Sequence, residues 1–262
     1  MTEFDRGVAV RSTDDGRYSV GIDGDWFVQN GPNGGYLASV LLAALADAAE
    51  GRPARSLTVY YLTSSVAGPA TVEVDVLRTG RSLAFLGARL RQGDSLVAHA
   101  VAAFGSGRSD LEFQDVRPAA DVPMPEDLPA PTQVQEVPPL VHRFDYRPVT
   151  PPALFSGADS ELWAWLRLRD PRPVDAVLLA TYVDALIPPM LLRATTPLLV
   201  PTVEITIHLR NAPTPGYDDW CLGHVATRTA ADGFIEEDCD IYDRDGRLLA
   251  QSRQLAIIVP LG

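Results

Sequence analysis

The sequence of 262 residues contains no lysine, so all 22 of its basic residues are arginines. A chain without lysine cannot form a Schiff base through a lysine side chain and lacks the lysine of a phosphate-binding Walker loop. The 34 acidic residues outnumber the arginines and give a net charge of −12. This charge disfavours binding to nucleic acids and to anionic membranes, because both require a positive surface field.

Cysteines and long hydrophobic runs are also scarce. Cys221 and Cys239 form neither a CxxC motif nor a spacing typical of metal sites, so we interpret them as small buried residues. No apolar run approaches the roughly 20 residues of a membrane-spanning helix, and the acidic N-terminus lacks the basic-then-apolar order of a signal peptide. We therefore expect a cytoplasmic protein that does not associate with membranes.

Several common catalytic motifs are missing as well. The sequence contains no GxSxG, GxGxxG or HExxH motif and no cluster of cysteines and histidines. These absences argue against a serine hydrolase, a dinucleotide-binding enzyme and a zinc enzyme. We accordingly expect neither a metal nor a cofactor.

What the sequence does contain is one arrangement that occurs twice, an apolar helix followed by four strands. Residues 33–49 and 173–186 are rich in Ala and Leu and predict the two helices. Segments of alternating hydrophobicity follow each helix and predict antiparallel strands, which in the second unit lie at about 201–210, 219–229, 233–242 and 247–259. The pattern indicates an α+β fold in which each unit is a curled antiparallel sheet wrapped around one long apolar helix.

A proline-rich segment separates the two units. Residues 118–140 contain seven prolines and few large apolar side chains, so they cannot form a regular helix or strand. We predict an N-terminal unit at residues 1–105, a linker at 106–140 and a C-terminal unit at 141–262.

The second copy carries polar residues where a packed core would exclude them. Asp184 lies in the most apolar part of the second predicted helix, where it is either functional or part of a solvent-facing stripe. Gln254 replaces Ala102 of the first copy; the alternative to a functional role is an amide that binds a stray backbone group. Thr202 begins a strand whose alternation directs its side chain away from the helix, and only its position after Pro201 lets it turn inward.

Two other segments are candidates for contact with an anionic ligand. Gly34 and Gly35 open the first helix, and helix N-termini attract negative charge; the alternative is an ordinary flexible helix entry. Arg78 and Arg81 flank a tight turn between two strands, where they either bind phosphate or remain solvated.

The repeated units resemble the double-hotdog acyl-CoA thioesterases of the TesB (thioesterase II) family over nearly the whole chain except the linker. The Gly-Gly helix start, the segment VEVDVLRTGRS and the Leu/Val-Ala hairpin carry the resemblance. In that family an Asp on the second helix, a Thr at the next strand and a Gln on the last strand hold and activate a water molecule. The resemblance assigns these roles to Asp184, Thr202 and Gln254, with Glu204 where the family tends to place an acid.

The resemblance implies an acyl-CoA thioesterase that releases free acid and CoA by direct attack of water. No metal, cofactor or covalent intermediate is implied, because coenzyme A is part of the substrate. Asp184 would be the base, and burial should raise its pKa toward the value that suits this role. Backbone N–H groups of Gly34 and Gly35 would stabilise the oxyanion.

The resemblance also suggests where the substrate lies. The acyl tail would occupy an apolar channel between the units, beside Tyr36, Leu37 and Tyr182. The candidates for binding the CoA phosphates are Arg78, Arg81 and Arg210. We expect one site per chain, because the first copy lacks the glutamine, and a homodimer, because edges of hotdog sheets often pair between chains.

Two other functions remain open from the sequence. A hotdog enoyl-CoA hydratase or dehydratase usually pairs a histidine with a carboxylate, but none of the four histidines lies on a predicted helix. A non-catalytic binder of acyl or aromatic ligands is the other alternative. A passive apolar pocket, however, gains nothing from a buried aspartate.

Overall fold

The computed structural model describes residues 1–14, 16–29, 31–107, 109–130 and 137–261. In its N-terminal half the helices are α1 (Glu3–Gly7) and α2 (Gly34–Ala48). The strands of this half are β1 (Val10–Asp14), β2 (Arg17–Ile22), β3 (Phe27–Val28), β4 (Gly31–Pro32), β5 (Ala54–Tyr61), β6 (Gly68–Thr79), β7 (Leu83–Gln92) and β8 (Ser95–Gly105).

The C-terminal half contains the helices α3 (Ala176–Tyr182) and α4 (Met190–Arg193). Its strands are β9 (Phe144–Pro148), β10 (Glu161–Leu168), β11 (Leu198–Leu199), β12 (Thr202–Leu209), β13 (Cys221–Ala231), β14 (Phe234–Tyr242), β15 (Leu248–Ile257) and β16 (Val259–Pro260). Short 3₁₀ turns occur at Gly24–Trp26, Pro125–Asp127 and Pro139–Arg143.

Twelve strands form one sheet that runs through both halves, in the order β1-β2-β6-β7-β8-β5-β12-β15-β14-β13-β10-β9. All neighbouring strands in it are antiparallel. Strands β5 and β12 meet at the seam, where the hydroxyls of Thr58 and Thr206 lie 3.0 Å apart in a hydrogen bond. Outward from the seam the strand order repeats, as β5-β8-β7-β6 in one direction and β12-β15-β14-β13 in the other.

Helix α2 is almost entirely apolar and buried, and it packs against β5, β6, β7 and α3. Asn33 caps its N-terminus by accepting a hydrogen bond from the Tyr36 N–H at 2.9 Å. Helices α2 and α3 run antiparallel, since Gly35 packs against Ala180 and Asp184 while Ser39 bonds to the Val177 carbonyl. Between the helices, the Ser39 hydroxyl hydrogen-bonds with the Thr181 hydroxyl at 2.7 Å. This packing brings the start of α2 to the end of α3.

The second helix is shorter than the sequence predicted. The apolar segment 173–186 predicted a helix, but α3 covers only Ala176–Tyr182. Asp175 is the N-terminal cap, so the helix cannot begin before it. At the other end the Asp184 N–H bonds to the Thr181 carbonyl at 3.1 Å, which closes a tight turn. Asp184 therefore lies in the turn after α3 and not within the helix.

Part of the predicted linker lies outside the described residues, namely 108 and 131–136. The described remainder contacts the C-terminal half, since the Trp165 indole N–H donates to the Pro123 carbonyl at 2.8 Å. Arg244 also forms an ion pair with Glu126. The segment around these two residues is thus held against the C-terminal half, although it forms no strand within the described residues.

Both cysteines are buried and free, as predicted. No helix in the described part of the chain has the length and hydropathy needed to cross a bilayer.

Candidate active site

Asp184 faces the N-terminus of α2, which belongs to the other half of the chain. Its Oδ2 atom accepts hydrogen bonds from the Gly35 backbone N–H at 2.8 Å and from the Asn33 amide at 2.9 Å. The same Asn33 amide donates to the Asp184 backbone carbonyl at 2.8 Å. Because a helix N-terminus favours negative charge, α2 stabilises the ionised carboxylate. Asp184 as a whole residue is half-buried.

Glycine at the start of α2 allows this close approach. A Cβ atom at Gly35 would lie 2.8 Å from both the Ala180 carbonyl oxygen and the Asp184 Cβ. A Cβ at Gly34 would lie 3.0 Å from Asp184 Oδ2. A larger residue at position 35 would therefore push α2 away from α3.

The oxyanion role predicted for Gly35 needs correction. Its N–H already donates to Asp184 Oδ2 in a short hydrogen bond, so it binds the carboxylate of the protein itself. The helix N-terminus attracts an anion as predicted, but the anion is a side chain from the other half of the chain.

Burial raises the pKa of Asp184 to about 6. Hydrogen bonds from Gly35, Gln254, Asn33 and Gly34 act in the opposite direction and lower this pKa. A carboxylate with such a pKa is ionised at pH 7 and still basic enough to accept a proton, which is the requirement for a general base.

Thr202 and Gln254 lie in direct contact. The Thr202 hydroxyl donates to Gln254 Oε1 at 2.8 Å. Thr202 reaches the buried face because β12 has a bulge, in which Thr202 pairs with Ala256 and Glu204 pairs with Leu255. A bulge shifts the alternation of side chains, so the strand start turns inward although strict alternation would direct it outward.

Glu237 was not among the residues predicted from the sequence. It lies on β14 directly opposite Gln254, is only 4% exposed, and accepts a hydrogen bond from Gln254 Nε2 at 2.5 Å. Burial and the nearby charge of Asp184 raise its pKa to about 8. The sequence did contain a signal for the burial of Glu237, because in strict alternation Glu237 shares the buried face of β14 with Ile235 and Cys239. The acidic run EEDCD conceals this alternation.

Asn33 and Tyr61 are two further neighbours of Asp184 that were not predicted to form part of the site. Asn33 is 4% exposed and binds both the helix terminus and Asp184. The Tyr61 hydroxyl donates to the Gly34 carbonyl at 2.6 Å, and burial followed by the charge of Asp184 raises its pKa. Asn33 could have been identified as the N-cap of the first helix, because asparagine is preferred at that position.

The corresponding positions in the N-terminal half are apolar. Gln254 pairs with Glu237 across β15 and β14, and Ala102 pairs with Leu86 across β8 and β7 at the same distance from the seam. The polar pair therefore occurs in the C-terminal half, whereas the equivalent pair of the N-terminal half is apolar. Comparison of the two repeats, in which Gln254 stands at the position of Ala102, predicted this difference.

Tyr36 and Tyr182 do not line a channel, contrary to the prediction. Tyr36 is 0% exposed, and its hydroxyl hydrogen-bonds with backbone groups of the N-terminal segment. The Tyr182 hydroxyl accepts a hydrogen bond from the Leu168 N–H at 3.2 Å, and Leu37 is buried as well. These side chains belong to the core, where packing and internal hydrogen bonds already use their surfaces.

The arginines predicted to bind CoA phosphates lie away from Asp184. Followed from β6 through β7 and β8 to β5, the strand pairing places Arg78 at the same height along the strands as Ser56. The Asp184 carboxylate lies near Tyr61, at the other end of β5. Five residues of strand separate the two levels by roughly 16 Å. Arg78 and Arg81 are exposed, and Arg210 is exposed and hydrogen-bonded on the surface.

Replacing Asn33 by aspartate tests the electrostatics of this site. The carboxylate of Asn33→Asp can still cap α2, but it places an acceptor and a second negative charge where the Asn33 amide donates to Asp184. We expect the pKa of Asp184 to rise, so that activity on the acid side requires a higher pH than in the wild type. The pH profile of kcat/KM measures this, and an unchanged acid limb would contradict it. Asn33→Ser, which also caps the helix, is the control without added charge.

Family models of acyl-CoA thioesterases match both halves of the chain. The model described as the acyl-CoA thioesterase N-terminal domain matches residues 22–105. The model described as the acyl-CoA thioesterase C-terminal domain matches residues 118–258. No curated protein matches the chain.

Three solved structures are similar to this chain over almost its whole length. A conserved protein of unknown function with a hot dog fold from Alicyclobacillus acidocaldarius has a TM-score of 0.91 and 24% identity, over 100% of both chains. A candidate thioesterase II from Thermobifida fusca has a TM-score of 0.86 and 27% identity over 98% of each chain. An acyl-CoA thioesterase II from Mycobacterium marinum has a TM-score of 0.78 and 22% identity over 99% of each chain.

Proposed function

Because the chain belongs to the acyl-CoA thioesterase family, we propose that this thioester hydrolase cleaves acyl-CoA by direct attack of a water molecule activated by Asp184. The observation that carries the proposal is the state of this carboxylate. It is half-buried, bound by the N-terminus of α2, and has a pKa raised to about 6. Such a group can take a proton from water at neutral pH.

The hydrogen bonds of Asp184 assign different roles to its two oxygens. The Gly35 N–H and the Asn33 amide both bind Oδ2, which fixes the orientation of the carboxylate. We infer that Oδ1 accepts the proton while the water oxygen forms its bond to the thioester carbonyl carbon. The C–S bond then breaks, and the thiolate needs little help from an acid because the pKa of a thiol is about 8.5.

Gln254 and Thr202 would hold the attacking water. Thr202 donates to the carbonyl oxygen of the Gln254 amide. The NH₂ group of Gln254 is therefore directed to the other side, toward the carboxyl groups of Glu237 and Asp184. One N–H of this group binds Glu237 and the other faces Asp184, where it can bind a water oxygen held between the two side chains and reduce the entropic part of the barrier. Both N–H groups predicted to stabilise the oxyanion face Asp184, since Gly35 donates a short hydrogen bond to it and a backbone hydrogen bond from Gly34 also lowers its pKa.

We also infer that each half is a sheet curled around its helix, as in the family. The deep burial of α2 and its packing against β5, β6 and β7 support this for the first half. The boundaries at 1–105, 106–140 and 141–262, the cytoplasmic location, the homodimer and the absence of a cofactor remain predictions.

Thiol release from a series of acyl-CoAs of graded chain length tests the proposed reaction. We expect free CoA and free acid in equal amounts from at least one member of the series. Tight binding of acyl-CoA without thiol release would instead indicate a non-catalytic binder. Addition of water to an enoyl-CoA without thiol release would indicate a hydratase.

A further inference from the structure

Glu237 is a buried acid with one satisfied and one unsatisfied oxygen. Oε1 accepts a hydrogen bond from Gln254 Nε2, and Oε2 is buried with no partner among the described residues. An ionised carboxylate would be unfavourable in such a place, because none of the described residues donates to its second oxygen. The geometry therefore favours the neutral acid.

The charges around Glu237 act in the same direction. Asp184 faces it from the turn after α3, and the thiol of Cys239 lies on the same face of β14. Glu236 and Asp238 flank it on the same strand. The arginines of the two adjacent strands bind Asp238 on the opposite face: Arg228 of β13 and Arg253 of β15. The groups that face Glu237 are thus acids, with no cation among the described residues to stabilise its ionised form.

The fold itself does not require an acid at this position. The N-terminal half has the same strand order as the C-terminal half. Leu86 and Ala102 of the N-terminal half occupy the positions that Glu237 and Gln254 occupy in the C-terminal half. Both halves form the sheet, so apolar residues satisfy its packing at this point. Burying a carboxyl group costs free energy that the leucine does not, which indicates a role other than stability.

A hydroxyl group can donate or accept, so Thr202 alone cannot fix which end of the Gln254 amide faces it. In the structure Thr202 donates to the carbonyl end of the amide and Glu237 Oε1 accepts from its NH₂ end, so the two contacts together set the orientation of the amide. Resting on the proposed function above, we propose that Glu237 is a positioning residue for thioester hydrolysis, which as a neutral acid holds the Gln254 amide with its NH₂ group toward Asp184.

Loss of the proton from Glu237 would place a second negative charge beside Asp184. This charge would oppose both the ionised base and the oxyanion that develops on the substrate. With the pKa of Glu237 raised to about 8, kcat should fall as the pH rises through that value. Because the pKa of Asp184 is about 6, kcat should also decrease as the pH falls below 6. Together the two limbs give a bell-shaped pH profile of kcat.

The test compares Glu237→Gln with Glu237→Leu. The glutamine variant keeps an acceptor for Gln254 but cannot ionise, so we expect activity at pH 7 and loss of the alkaline limb of the kcat profile. The leucine variant copies Leu86 and removes the acceptor. We expect its kcat to fall about 10- to 100-fold with little change in KM, since a misplacement of about 1 Å can cost 10²-fold. Glu236→Gln, the adjacent acid on β14, is the control: it should keep an alkaline limb, moved to a slightly lower pH because the charge of Glu236 helps to raise the pKa of Glu237.

An alkaline limb that persists in Glu237→Gln, or wild-type turnover of folded Glu237→Leu, would overturn the role of Glu237. If Glu237→Leu does not fold, the pH profile of Glu237→Gln decides alone. Failure of the proposed function has a different signature, because Asp184→Asn would then turn over substrate like the wild type. Loss of activity in Asp184→Asn together with unaltered Glu237 variants would leave the reaction in place and reject only this inference.

Discussion

Asp184→Asn is expected to lower kcat by about 10²- to 10⁴-fold, the usual contribution of a general base. The amide has the shape of the carboxyl group, and its oxygen can still accept hydrogen bonds from Gly35 and Asn33. What it cannot do is take a proton from water. Substrate binding should change little, so the loss should appear in kcat measured by thiol release.

The same variant should not be less stable than the wild type at pH 8. The pKa of Asp184 in the folded protein, about 6, lies above its ordinary value of 3.8. The folded state therefore binds this proton more tightly than the unfolded chain, and its contribution to stability is lost as the pH rises from about 4 through 6. At pH 8 the ionised group costs stability, and asparagine removes that cost. The expected Tm of Asp184→Asn is equal to or higher than that of the wild type.

Asp175→Asn provides the matched control for Asp184→Asn. Asp175 precedes the same helix at its other end, where its carboxylate accepts a hydrogen bond from the Leu178 N–H. Asparagine is an equally good N-cap, so we expect wild-type turnover. Wild-type turnover of Asp184→Asn on every acyl-CoA that the enzyme cleaves would exclude Asp184 as the base.

Gly35→Ala should disrupt both stability and activity through a single methyl group. The added Cβ would meet the carbonyl oxygens of Ala180 and Thr181 at 2.8 and 2.9 Å and the Asp184 Cβ at 2.8 Å. Two of these neighbours are backbone atoms, which cannot move without shifting α3. We expect a loss of about 1–3 kcal/mol in the free energy of unfolding, as for overpacked cores. Displacement of Asp184 should in addition lower kcat by about 10²-fold.

Gly21→Ala controls for the general effect of removing a glycine. A Cβ at Gly21, on the exposed side of β2, meets no atom within 4 Å. We expect unchanged turnover and a stability equal to the wild type or slightly higher. Denaturant unfolding and thiol release on both variants measure the difference. If Gly35→Ala were as stable and active as Gly21→Ala, the close packing of α2 on α3 would not govern the site.

Alternation of side chains allowed the strands of the C-terminal half to be predicted closely. The segment 201–210 predicted a strand that the structure has at Thr202–Leu209, and 233–242 predicted the strand at Phe234–Tyr242. The second helix was overextended, because apolar residues continue beyond the point where the Asp184 N–H closes a turn. Hydrophobic pattern shows which residues are buried, but a helix and a buried turn can share the same composition.

The sequence by itself determined the two repeated helix-and-strand units and the replacement of Ala102 by Gln254, because periodicity and repetition are local properties of the chain. Tertiary structure alone decided which polar groups meet. The bulge in β12 turned Thr202 toward Gln254, strand register set Glu237 opposite the same amide, and helix packing brought Asn33 to a carboxylate 151 residues away. Such contacts depend on register and on the approach of whole elements, and a residue's neighbours in sequence do not specify either.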